Sequence, residues 1–209
     1  MGQYYKPCFL KEDKQTPIGF ADSHDFGSGL KLMEHSWMKN DFVGFIESLL
    51  TNGMPFHKTP IVWAGDYADE EPFERIPKEV VNALVEDGYE LEEVEKNGAN
   101  LYSIAFHSAP KLSPNTLKIV LPIAKTKYIV NHDKKQFVDK TKVPQDADGW
   151  RIHPLPLLTV EGNLRGGGDY FSENGKEFVG SWARDIISIE SKKADIPKDY
   201  VEIIPNFME

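Results

Sequence analysis

The run Thr59-Pro-Ile-Val-Trp-Ala-Gly-Asp-Tyr-Ala-Asp-Glu-Glu71 constrains this chain most, because an apolar, β-branched and aromatic stretch passes without a break into clustered acids. Pro60 to Ala68 reads as a strand with its acids at the exit. Much later, Val179-Gly-Ser-Trp-Ala-Arg-Asp185 repeats the order Trp-Ala-x-Asp of Trp63-Ala64-Gly65-Asp66. The echo is too short to establish duplication, but it leads us to expect two tryptophan-bearing strands lying side by side.

Two helices are expected around this strand. Over 41–51, Phe42, Phe45, Ile46, Leu49 and Leu50 fall on one face, Asn40 or Asp41 caps the start, and Gly53 follows the end. Over 77–87, Pro77 opens the first turn, Val80, Val81, Leu84 and Val85 form one stripe, and Gly88 closes it. The remaining segments read as strands: 3–10; a hairpin of 89–95 with 101–107; 116–124; a second hairpin of 127–131 with the residues up to Val138; 153–160; 178–189; and 200–205. The expected fold is therefore α+β in a single domain, a mostly antiparallel sheet or sheets of eight or more short strands with two main helices.

Charge excludes one class of partner. The chain carries 33 acids against 24 Lys and Arg, a formal net charge of −9. Residues 66–96 alone hold 12 acids against 3 bases, so the whole excess sits in one acidic lobe. A general nucleic-acid binder needs a basic face, and none is expected here; a solvated acidic surface, or a docking surface for a basic partner, fits better. With 40% apolar and 27% charged residues and no apolar run near the ~18 residues that span a bilayer, no membrane is expected. The first ten residues lack the pattern of a signal peptide, and the single cysteine, Cys8, precludes an internal disulfide, so the expected setting is cytoplasmic.

The runs Met1-Gly-Gln-Tyr-Tyr-Lys6, Ser28-Gly-Leu-Lys-Leu-Met-Glu-His35, Trp63-Ala-Gly-Asp-Tyr-Ala-Asp69, Tyr128-Ile-Val-Asn131 and Arg165-Gly-Gly-Gly-Asp-Tyr170 resemble those of a group of uncharacterised bacterial and bacteriophage proteins. That resemblance implies a prokaryotic or phage cytoplasm and a single domain. It carries over no activity and no catalytic residue.

Three places can hold chemistry. In Arg165-Gly166-Gly167-Gly168 the glycine amides could face an anion and Arg165 could add a bidentate contact, although no helix or Gly-Lys-Ser/Thr follows, as a phosphate loop would require. If the two Trp-Ala-x-Asp strands leave on the same side, Asp66, Asp185, Asp169 and His153, with Asp69 and Glu70 nearby, could hold a divalent metal for a metal-dependent hydrolase, though without a ligand-spacing signature. Trp63 and Trp182 could wall an aromatic pocket, while tryptophans are more often core anchors. No nucleophile motif is complete, since Ser181 lacks the second glycine of a nucleophile elbow. The sequence thus points to a non-catalytic binding protein for a protein partner or an anionic small molecule, with the hydrolase and a structural or virion accessory role as alternatives.

Overall fold

The computed structural model describes residues 2–117 and 127–208. In chain order its elements are β1 (Tyr5–Leu10), β2 (Pro17–Phe20), α1 (Leu32–His35), α2 (Asp41–Leu49), β3 (Thr59–Gly65), β4 (Glu70–Glu71), α3 (Lys78–Glu86), α4 (Leu91–Asn97), β5 (Ala99–Asn100) and α5 (Leu101–Ser108). There follow α6 (Pro114–Leu117), β6 (Tyr128–Asn131), β7 (Gln136–Asp139), α7 (Pro154–Thr159), β8 (Val160–Glu161), β9 (Ile186–Glu190) and β10 (Val201–Glu202).

The expected α+β class holds: eight strands form one mixed sheet in the order β10-β7-β6-β9-β3-β1-β2, with β8 joined to β3. All its pairings are antiparallel except β7 with β10 and β3 with β8. Alternation along β1 and β3 decides how the sheet is covered. Tyr5, Phe9, Ile61 and Trp63 face one way, into a core shared with Phe42, Phe45, Ile46 and Leu49 of α2. Cys8, Leu10, Val62 and Ala64 face the other way, against Leu101 and Ala105 of α5. The central strands are thus buried on both faces, and each large side chain so buried contributes about 1.5–3 kcal/mol.

The helix of residues 41–51 forms over Asp41–Leu49, with the Asn40 side chain accepting from the amides of Phe42 and Val43. That of 77–87 forms over Lys78–Glu86. Of the expected hairpins, that of β6 and β7 is present, while 89–95 and 101–107 are not strands. They are largely the helices α4 and α5. Leu91 and Val94 in the first, and Leu101, Ile104 and Ala105 in the second, repeat at three and four residues, and acids at the start of α4 suit the positive end of a helix. Gly98, at φ 83, ends α4, and the Asn100 side chain accepts from the Ser103 amide to start α5.

Two further strands are shorter than expected. Residues 153–160 are mostly α7, because Pro154 suits a first helical turn and the His153 ring accepts from the Leu155 amide as a cap. Of 178–189, only Ile186–Glu190 is extended, since Gly180 (φ 71) and Arg184 (φ 61) are left-handed and the chain turns three times before it. The strand expected over 116–124 lies outside the described residues apart from its first two positions, which close α6. Among the described residues, no helix is long and apolar enough to cross a membrane.

Candidate functional site

A cleft of about 990 Å³ opens where the chain before α2 meets the chain before α7. Two short extended stretches build its wall. Trp37 and Ile152 form an antiparallel bridge, the Met38 amide donates to the Arg151 carbonyl at 3.0 Å, and the His153 amide donates to the Ser36 carbonyl at 2.9 Å.

The lip is aromatic. Trp37 is anchored by its indole N–H, which donates to the Met33 carbonyl at 2.7 Å, and Trp150 meets it edge-to-face with 5.9 Å between ring centroids. Trp150 stands on a tied turn: the Asp146 carboxylate accepts from the amides of Asp148 and Trp150, and Gly149 supplies the left-handed position at φ 84. Trp150 nevertheless stays 59% exposed.

The floor is charged and buried. Three separate segments deliver Glu47 from α2, Lys140 from the turn just after β7 and His153 from the cap of α7. The Lys140 ammonium lies 2.5 Å from Glu47 Oε1, and His153 Nε2 lies 3.2 Å from the same oxygen. Because His153 Nδ1 accepts from the Leu155 amide, the ring proton of the neutral form is on Nε2, facing Glu47 but off the line of a hydrogen bond. Burial pushes the His153 ring below its ordinary range, against the pull of Glu47. Burial alone would raise the Glu47 carboxyl, but His153 and Lys140 outweigh it and hold it at about 2. Glu47 is therefore an ionised carboxylate whose charge the Lys140 ammonium meets inside the protein.

Taken with that floor, the described lining is net positive. Lys39, Lys127, Lys140 and Arg151 face the cleft against Glu47 and Asp148. Arg151 is held by a neutral group, its Nε and Nη2 both donating to Gln145 Oε1 at 3.1 and 2.9 Å. Among the described residues, neither Lys39 nor Arg151 is paired with a carboxylate, and Arg151 donates to Gln145 alone.

The residues singled out in the sequence lie elsewhere, His153 excepted. In the glycine loop, the amides of Arg165 and Gly166 donate to Asp169 Oδ2 at 3.0 and 3.1 Å, so an anion is already supplied by the chain. The carbonyls of Gly167 and Gly168 accept from the amides of Gln3 and Met33, and a Cβ on Gly166 would lie 2.5 Å from the Gln3 backbone. Glycine is needed there for close packing on the N-terminal strand. The Arg165 guanidinium pairs with Asp69 and donates to the Tyr67 carbonyl.

The four expected metal ligands do not converge on one point: Asp66 and Asp169 both lie near Tyr5, while Asp185 and His153 are elsewhere. Asp169 accepts from the Tyr5 hydroxyl at 2.5 Å, Asp66 accepts from the Tyr4 amide, and Asp185 accepts from Asn131 and Lys134. The segment carrying Trp182 does come beside β3, with the Arg184 amide donating to the Ile61 carbonyl. It runs antiparallel, however, with Ile186 opposite Pro60, so Asp185 sits at the start of β3 and Asp66 past its end. Five residues of strand, about 17 Å, separate the two positions. Among the described residues, no group of three or more His, Cys, Asp and Glu is placed to hold a metal.

Trp63 and Trp182 are buried core anchors whose indoles donate to His35 Nε2 and Gln136 Oε1 respectively. Glu47, Lys140 and Arg151 were not among the expected site residues, and Trp150, expected like the other tryptophans to anchor the core, is 59% exposed. One signal was present: between Phe42 and Leu50, Glu47 is the sole charge on an otherwise apolar helix.

Fold and site together define an α+β protein with a tryptophan-lipped, cationic cleft. Comparison of the chain with protein-family models, with curated proteins and with solved structures found no match.

Proposed function

We propose that this is a non-catalytic binding protein of a bacterial or phage cytoplasm that takes an anionic small molecule in the Trp37–Trp150 cleft. The observation that carries the reading is the charge of the cleft: its described lining is net positive in a chain whose net charge is −9. A ligand site gains its specificity from a few polar groups placed by a rigid frame. Here Arg151 is placed by a neutral amide, and Lys140 is fixed by a buried carboxylate. The buried ion pair makes the floor rigid, and the exposed cations make it selective for negative charge.

Titration calorimetry at low salt with inorganic phosphate, acetate, benzoate and adenosine 5′-monophosphate tests this. At least one anion should give a saturable heat, and Arg151→Ala should weaken it about 10- to 100-fold, as loss of a charge-assisted hydrogen bond does. Absence of heat with all four, or affinity unchanged by Arg151→Ala, would remove the reading.

A further inference from the structure

We infer that the anion taken by this cleft carries a planar aromatic ring, seated on the indole of Trp150, with its acid group held by Arg151; the inference rests on the cleft being an anion site. Trp150 is left 59% exposed where it lines the cleft. Its exposure does not come from a loose loop. The Asp146 carboxylate ties the amides of Asp148 and Trp150, the Asp146 amide donates to the Trp150 carbonyl at 3.0 Å, and Trp37 backs the ring edge-to-face. The turn therefore presents the indole in one orientation, which lowers the entropy cost of stacking a second ring on it.

The next residue supplies the acid contact. Arg151 spends Nε and Nη2 on Gln145, so its Nη1 and its full charge stay available beside the stacking surface. A cleft of about 990 Å³ is at the upper end of the range for small-molecule sites, with room for a ring, a linker and an oxyanion. The shared ligand chemistry is a planar ring joined to an oxyanion, met both in nucleoside monophosphates and in arenecarboxylates.

Matched pairs separate ring from charge: adenosine 5′-monophosphate against inorganic phosphate, and benzoate against acetate, titrated by calorimetry and by tryptophan fluorescence. In at least one pair the ring-bearing member should bind roughly 5- to 100-fold more tightly, the gain expected of one stacked ring. The pair that shows the gain identifies the source of the oxyanion. Trp150→Ala should bring the ring-bearing anion down to the affinity of its ringless partner, and Trp150→Phe should restore part of the difference. Equal affinities within both pairs, with binding still weakened by Arg151→Ala, would overturn the ring while leaving the anion site standing. No binding by any of the four would overturn both. Should Trp150→Ala fail to fold, the comparison within pairs on the unaltered protein decides alone.

Discussion

At the scale of single residues, the buried polar groups set how the protein responds to acid. His35 is fully buried, its Nδ1 donating to the Gly29 carbonyl and its Nε2 accepting from the Trp63 indole, which fixes the neutral tautomer. Burial pushes the ring down to about 4, against smaller raising contributions from the Gly29 carbonyl and Glu34. In the unfolded chain the ring titrates near ~6.5, so below that pH the unfolded state binds a proton that the fold refuses. The stabilisation is complete above pH ~6.5 and is lost as the pH falls toward 4, by on the order of 3 kcal/mol for this one ring. Burial holds His132 at about 4 as well, and it adds to the same window. Glu47 acts in a lower window: held at about 2, it loses its contribution only below the ordinary carboxylate range near ~4.5. Urea unfolding between pH 7 and 4.5 should therefore show falling stability. His35→Asn, less stable at pH 7, should show a slope shallower by up to about 1.4 kcal/mol per pH unit. An unchanged slope would contradict this account of His35.

At the scale of elements, the glycine loop is a strap. Asp169 joins the loop amides of Arg165 and Gly166 to the Tyr5 hydroxyl of β1, while Gly167 and Gly168 receive the amides of Gln3 and Met33. Asp169→Ala removes a buried, charged acceptor from three donors and should cost about 2–3 kcal/mol in chemical denaturation. The heat of anion binding at Arg151 should be unaffected; a cost below about 0.5 kcal/mol, or loss of that heat, would show that the loop has another role. This strap also shows where the sequence was legible. Three glycines after an arginine state that backbones approach closely, but not whether the approaching group is a ligand or the chain's own Asp169. The helices 41–51 and 77–87 were readable because their apolar stripes, caps and terminal glycines all agree. The segments 89–95 and 101–107 were misread because the alternating Glu, Leu and Val of the first and the short apolar and aromatic run of the second fit either period, and only the capping by Gly98 and Asn100 decides for helix. The cleft was illegible for a different reason: Glu47, Lys140 and His153 are brought together by pairing between distant segments.

At the scale of the whole molecule, charge is sorted. The 66–96 segment carries the entire net negative charge, and the cleft concentrates lysine and arginine built from residues 37–47 and 127–153. A field arranged in this way attracts small anions to one place and repels them elsewhere, and it is screened beyond ~10 Å at 0.1 M salt. Mapping adenosine 5′-monophosphate and benzoate onto the amide and indole signals of the protein by NMR at low salt tests the central claim most directly. The account predicts shifts at Trp37, Lys39, Lys140, Trp150 and Arg151, led by the Trp150 indole, with the 165–168 loop and the indoles of Trp63 and Trp182 unmoved. Shifts gathered at Arg165–Gly168, or no shift at millimolar concentrations of either anion, would contradict it.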